Sequence, residues 1–418
     1  MKLRTRHRIL AGLVAGLLTA SACGGTAAPA ATNAPAGTNA PAATAAAATP
    51  DTTPVKIAIV VGVTGGQAPS AANWIAGLGV AVDEINAAGG ILGRKVETFT
   101  LDTRSDPATS VASMKSALEQ KPYVVMGTIL SSATLVNMKI LEDAGVPQFT
   151  GSVSPDITTK NSPKSLFRTE PHSNDEAAMF ASWVVNQSKG KKIAVIYAND
   201  EFGTSGQKSF ADLFVKQGAT VAASVSTTVG QADFSGEIAK LQQSGADTVF
   251  MYMHETESGR FLQQAQSANL SKSMAIVGAS SALAASTIQL AGAAADGLKG
   301  FVPFSASAKS AQALTQKYLA KNPNAAPDHN FFKGYMALWT VAYVTKELGR
   351  FDQAGLVTFM HDKTMCVDKY PNLLESTYWS KLGDIDRATF VVSVKDGKQT
   401  VTDAIPPLQK DKFTGCKG

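Results

Sequence analysis

Lys56-Ile57-Ala58-Ile59-Val60-Val61-Gly62-Val63 is a short β-branched run that predicts a buried strand over 56–63. It leads into 72–88, where Leu78, Val82 and Ile85 recur at i, i+4 and i+7 and predict an amphipathic helix, and then into a second strand-like run at 95–101. The alternation continues with strand-like runs at 123–126, 192–197, 219–225, 248–253 and 274–277, and with a helical stretch at 107–119 that carries Val111, Met114 and Leu118. This order implies an α/β fold with parallel sheets covered by helices on both faces.

A polar segment, 161–174, with Pro163 and Pro171, separates two successions of strand-helix units, each enough for one α/β domain. Strand signals return at 300–304 and 390–394, with long helical patterns at 330–348 and 353–362 between them. The chain therefore crosses between two lobes more than once.

At the start of the chain, Lys2, Arg4, Arg6 and Arg8 precede an apolar run, 9–19, that ends in Ala20-Ser21-Ala22-Cys23. A charged start, a short apolar centre and a small-residue exit read as an export signal over 1–22, and the apolar run is shorter than the roughly 20 residues that span a bilayer. Everything after it is expected to work outside the cytoplasm. Ala20-Ser21-Ala22 suits an ordinary signal peptidase and also resembles a bacterial lipoprotein site, in which Cys23 becomes the acylated first residue. Ala20 stands where lipoproteins usually carry Leu. Residues 24–50 are uncharged Ala, Thr, Pro, Asn and Gly, a composition that cannot bury a core and suits the spacer of a lipid tether.

The remaining chain, roughly 365 residues, is enough for two domains of ordinary size. The formal net charge of +5 comes from 38 Lys and Arg against 33 Asp and Glu, and four of those cations lie in the signal. Without them the balance is close to neutral, which argues against nucleic acid as a partner. With Cys23 assigned to lipid, Cys366 and Cys416 are expected to form a disulfide that fastens the C-terminal tail; two free buried thiols are the alternative.

Enzyme signatures fail on inspection, and no cofactor or metal is expected. Gly77-Leu78-Gly79 has Val82 where a dinucleotide loop needs its third glycine, and His254-Glu255 has Ser258 where a zinc protease needs its second His. No G-x-S-x-G elbow or Walker lysine occurs. A positional signal is better: the strand at 123–126 runs through Gly127-Thr128-Ile129-Leu130 into Ser131-Ser132, which open a helix containing Leu135, Met138 and Leu141. Free N–H groups and a positive dipole end suit a carboxylate at the carboxyl end of a strand, whereas helix capping by Ser131 or Ser132 accounts for the same residues.

Lys56-Ile57-Ala58-Ile59-Val60, the segment Val80 to Lys95 with its Asn86-Ala87-Ala88-Gly89-Gly90-Ile91-Leu92-Gly93-Arg94-Lys95 turn, and Asp102-Thr103-Arg104-Ser105-Asp106-Pro107 together resemble the leucine/isoleucine/valine-binding protein family, the extracytoplasmic receptors of ABC importers. Ala198-Asn199-Asp200-Glu201-Phe202-Gly203 and Gln231-Ala232-Asp233-Phe234-Ser235 extend the likeness, which covers 55–398. The resemblance implies a type I periplasmic-binding-protein fold: two Rossmann-like lobes with parallel central sheets, joined by three hinge crossovers and closing on a small solute. On that frame the first lobe takes 55–170, the second 171–300, the return to the first 301–378, and the third crossover with the tail 379–418, after a linker at 23–54.

Carried over by position, the resemblance implies that Ser131 binds the ligand's carboxylate, with Ser132 beside it at the helix start, that Ser152 or Ser154 supplies the hydroxyl of the second carboxylate-binding loop, and that Phe202 and His254 wall the pocket. Core packing is the alternative for Phe202. Gln67 and Ser280 occupy other pocket-loop positions, and Trp74 stands in for the aromatic missing from Gln67-Ala68-Pro69-Ser70. The glutamate that pairs with an amino acid's ammonium is missing from Gly278-Ala279-Ser280-Ser281, and the first-lobe disulfide common in amino-acid binders is absent. Either Glu255, Glu257 or Glu201 replaces that glutamate, or the ligand lacks an amine, which places an aromatic or branched organic acid ahead of leucine-like amino acids. The expected protein is thus a monomeric, lipid-anchored, non-enzymatic binder of a small carboxylate- or amide-bearing solute, with an ABC permease and ATPase complex as partners. A sensory receptor presenting its ligand to a membrane signalling protein is the alternative, and a hydrolase with Ser131 as nucleophile and His254 as base is the enzymatic one.

Overall fold

The computed structural model describes residues 51–417; the expected signal at 1–22, Cys23 and most of the linker lie outside the described residues. Strands β1 (Val55–Val61), β2 (Val96–Asp102), β3 (Val124–Gly127), β4 (Gln148–Thr150) and β5 (Leu166–Arg168) form a wholly parallel sheet in the order β2-β1-β3-β4-β5. Only Lys56 of β1 is exposed, which is why this strand reads as a continuous apolar run rather than an alternating one.

Strands β6 (Lys192–Ala198), β7 (Thr220–Thr227), β8 (Thr248–Tyr252), β9 (Ala275–Gly278) and β10 (Lys299–Val302) repeat the arrangement as β7-β6-β8-β9-β10, again parallel. After an excursion, β11 (Lys363–Met365), β12 (Thr377–Trp379) and β13 (Ile385–Arg387) make a small antiparallel sheet. Then β14 (Thr389–Lys395) and β15 (Lys398–Ile405) join the second sheet antiparallel to β10, so that sheet is mixed at one edge rather than parallel throughout. The whole is a two-lobed α/β architecture.

The chain passes from the first sheet to the second after β5, where helix Ser173–Gln187 packs on Glu201–Lys216, and it returns after β10. Helix His329–Leu348 then lies along Ala68–Ala87, whose Ala71, Trp74, Leu78, Ala81 and Ile85 make one buried stripe. Two glycines permit the approach. A Cβ on Gly77 would fall 1.8 Å from the Phe331 carbonyl oxygen, and one on Gly334 2.3 Å from that of Trp74. The third passage runs through β13 into β14. In the second lobe Phe180, Phe210, Phe214, Phe250 and Phe301 build an aromatic core, with Phe180 stacked on Phe301 at 4.1 Å.

The polar segment expected to be a plain divider contains β5, whose three residues are fully buried. Its brevity and its flanking prolines conceal it. The short strands β4 and β11 to β13 carry too few residues for a periodic signal, and β15 alternates polar residues along an exposed edge. Cys366 and Cys416 are disulfide-bonded, tying the segment after β11 to the tail. Among the described residues no helix is long and apolar enough to cross a membrane.

Candidate functional site

In open α/β sheets ligands bind beyond the carboxyl ends of the strands, next to the point where strand order reverses. Here both sheets have that point, beside β1 and β6, and their carboxyl ends face one another across a cavity of about 30 Å³. From the first lobe come Gln67 after β1, Ile129 and Leu130 after β3, Gly151 and Val153 after β4, and Glu170 after β5. His329, Asn330 and Lys333 reach it from the first turns of His329–Leu348. From the second lobe come Phe202 after β6, His254 and Glu255 after β8, and Ser281 after β9. A larger hollow, about 410 Å³, lies at the opposite ends of β9 and β10 and gathers no comparable set of charged groups.

Side-chain hydrogen bonds cross between the lobes beside the cavity. Ser70 Oγ donates to Glu255 Oε1 at 2.7 Å, Asn330 Nδ2 to the same oxygen at 3.0 Å, and Ser154 Oγ to Glu201 Oε1 at 2.5 Å. Gln67 Nε2 lies 2.9 Å from His254 Nδ1. A cavity of this size holds about two waters, so a solute enters only when these bonds part and the lobes separate.

His254 is held from three sides. Its Nε2 lies 2.7 Å from Asp200 Oδ2, and its ring stacks on Phe202 at 4.8 Å, which in turn lies on Tyr252 at 4.7 Å. Burial alone would depress this imidazole, but the hydrogen bond and charge of Asp200 prevail and raise its pKa. For Asp200 burial works upward and is outweighed by His254, leaving the carboxyl lowered. Tyr252 donates to Glu176 Oε2 at 2.8 Å, and burial, with the nearby charge of Glu170, pushes the Glu176 carboxyl up to about 8.

Opposite, Lys333 Nζ donates to Glu170 Oε1 at 2.5 Å, with both side chains almost wholly buried. Burial holds Glu170 above the usual carboxylate range despite Lys333, and its Oε2 has no partner. Asp328, at the cap of the same helix, is pushed up to about 7 by burial and by the charge of Glu255. Burial and Lys333 depress His329, whose Nδ1 is also unpartnered.

Of the residues expected at the site, Gln67, Phe202 and His254 line the cavity, whereas Trp74, Ser131, Ser132, Ser152 and Ser280 do not. Ser131 is fully buried and its Oγ accepts the Ser154 N–H at 3.2 Å. Ser152 Oγ lies 2.7 Å from Thr134 Oγ1 and donates to the Ile129 carbonyl at 2.9 Å, inside a hydroxyl network with Thr128 and Thr150. The Ser152 hydroxyl is thereby engaged with its neighbours and with backbone rather than turned toward a carboxylate. Neither serine caps the helix: Leu130 occupies the cap position and no side chain bonds there. Trp74 is sealed beneath Gly151, a Cβ on which would stand 3.1 Å from the indole. The Ser152 to Ser154 loop is itself fixed by Arg168, whose guanidinium donates to the carbonyls of Ser152 at 2.6 Å and Ser154 at 2.8 Å and to Asp384 at 2.7 Å.

Among the three glutamates considered as substitutes, Glu255 lines the cavity, Glu201 bridges to Ser154 at its edge, and Glu257 instead accepts the Gly230 N–H. Glu170, Asn330 and Lys333 were not anticipated. The available signal was a lysine inside an otherwise apolar helical run, Phe331-Phe332-Lys333-Gly334-Tyr335-Met336.

The sequence matches the family described as periplasmic binding protein over residues 54–399. The chain belongs to that family. The chain is 28% identical over 245 residues to the Leu/Ile/Val-binding protein of Citrobacter freundii, a match that covers 58% of this chain and 66% of that relative, just under two thirds. It is 29% identical over 306 residues to a leucine-, isoleucine-, valine-, threonine- and alanine-binding protein of Pseudomonas aeruginosa, covering 71% and 79%. Among solved structures, a leucine-binding protein of Thermotoga maritima superposes with a TM-score of 0.75 at 22% identity, covering 85% of this chain and 99% of that one. A solute-binding protein of R. palustris in complex with benzoate superposes at 0.76 and 19% identity, covering 85% and 97%. The fold of this family member is thus the type I periplasmic-binding-protein fold.

Proposed function

We propose that the protein is the extracytoplasmic solute-binding component of a branched-chain-amino-acid-type ABC importer, delivering a small solute to a membrane permease and its ATPase. The observation that carries this reading is the polar cavity enclosed by the carboxyl ends of two facing sheets and bridged by hydrogen bonds from lobe to lobe. Opening severs those bonds, and a ligand that touches both walls restores the closed arrangement, a hinge motion driven by differential contacts. Relatives named for branched-chain amino acids and one bound to benzoate suggest a ligand of comparable size.

In this reading the first lobe comprises 55–170 and 301–378, the second 171–300 and the final segment, and Cys23 carries the lipid that holds the receptor at the membrane. Gln67, Phe202 and His254 contact the solute; Ser131, Ser132, Ser152, Ser280 and Trp74 shape the wall from behind. A ligand at 100 times its dissociation constant stabilises by about 2.7 kcal/mol, which thermal shift detects, and X-ray scattering should report compaction on binding. Unchanged melting and scattering across a broad metabolite panel would refute the receptor reading. Intact mass of the membrane fraction tests the anchor, and an unmodified Cys23 would remove it.

A further inference from the structure

We infer that the cleft selects a small organic cation, a solute whose protonated amine docks on Glu255 and on the free oxygen of Glu170 and which carries no carboxylate of its own. The inference rests on the solute-receptor reading and departs from the carboxylate expected at Ser131.

Glu255 is 3% exposed, and its donors, Ser70, Asn330 and Ser286 at 2.6 Å, are all neutral. The cations near the cavity are committed elsewhere: Lys333 to Glu170, His254 to Asp200, and Arg168 to Asp384 and two carbonyls. This leaves Glu255 without a cationic partner at the wall, held by three neutral donors and by the start of its own helix, and a buried carboxylate gains most from a counter-ion. A second, independent sign is Glu170 Oε2, an acceptor with no partner on a side chain only 3% exposed that lines the same cavity. Two of the three donors to Glu255 belong to the first lobe and leave when the lobes part, and an ammonium with its three N–H groups can take their place. A carboxylate finds no cation to meet it, since Lys333, His254 and Arg168 are each paired with a carboxylate of the protein, and Ser152, expected to hold it, donates to the Ile129 carbonyl instead.

The test is isothermal titration of the protein at pH 7 with two matched series: L-leucine, 4-methylpentanoate and 3-methylbutylamine; and L-phenylalanine, 3-phenylpropanoate and 2-phenylethylamine. In at least one series the amine should bind tenfold or more tightly than the amino acid, and the acid weakest. Glu255→Gln should weaken the amine at least thirtyfold, and Glu255→Asp should recover part of that loss, separating charge from folding. An acid or amino acid bound as tightly as its amine, or an amine preference that survives Glu255→Gln, overturns the inference while leaving the receptor reading intact. No binding by any of the six, with scattering unchanged across a wider metabolite panel, overturns both.

Discussion

Two helices begin at the carboxyl end of a strand on opposite walls of one cleft, and they meet it differently. Ser131–Ala144 opens with serines and follows β3; Glu255–Ser267 opens with an acid and follows β8. The first start is sealed, its Ser131 hydroxyl bonded to the Ser154 N–H and the loop above it clamped by Arg168. The second holds Glu255 at the cavity wall, bonded across the cleft. A helix start supplies N–H groups and a dipole in both cases; what differs is whether neighbouring loops have already taken up its polar groups.

The strongest way to break this contrast is Arg168→Met, which leaves Asp384 without its partner and frees the Ser152 to Ser154 carbonyls. We expect a loss of about 3–5 kcal/mol in urea denaturation, as for a broken buried ion pair. A loss below about 1 kcal/mol would mean that the serine wall is held by something other than this clamp.

Glu176→Gln probes the support beneath the acid wall, where Glu176 holds Tyr252 under Phe202. Its folded-state pKa, about 8, is raised above the ordinary 4.5, so its contribution is complete below pH 4.5 and is lost as pH rises toward 8. The substitution should therefore stabilise by roughly 3 kcal/mol at pH 7 and by almost nothing at pH 4. Equal effects at both pH values would contradict a buried neutral carboxyl.

His254→Gln should have a smaller effect, on the order of 1.5–3 kcal/mol, typical of a hydrogen bond to a charged group. Because Asp200 raises the pKa of His254 in the folded protein, the protonated ring stabilises below the unfolded value of 6.5, and that gain fades as pH rises through the folded value. Melting curves from pH 5.5 to 8 should show the wild type losing more stability than the variant on the alkaline side; parallel curves would remove the pair from the argument. The smallest effect belongs to Ser131→Ala: solute affinity within threefold of wild type and about 0.5–1.5 kcal/mol of stability lost, the worth of one hydrogen bond. A tenfold loss of affinity would return Ser131 to the ligand.

These contrasts also mark how far the sequence alone reaches. The long strands β1, β6 and β14 were legible because each is rich in β-branched and aromatic residues, and helix 107–119 begins and ends where its pattern does. Strands of three residues such as β5 offer no period to read. At the site, Gln67, Phe202 and His254 followed from the family likeness, but that likeness also pointed to Ser131, since it ranks positions and is silent on what the hydroxyl bonds to. Lys333 and Glu170 are 163 residues apart and meet only through tertiary packing. No local pattern joins them.

The glycine-mediated crossing of Ala68–Ala87 with His329–Leu348 sets the timetable of biosynthesis. A chain that emerges N-terminus first has all five strands of its first sheet out long before the helix that backs them is made, and the second sheet waits longer still for β14 and β15. Neither half can complete its core while the ribosome is translating the middle of the message, so final folding is a late, post-synthetic event.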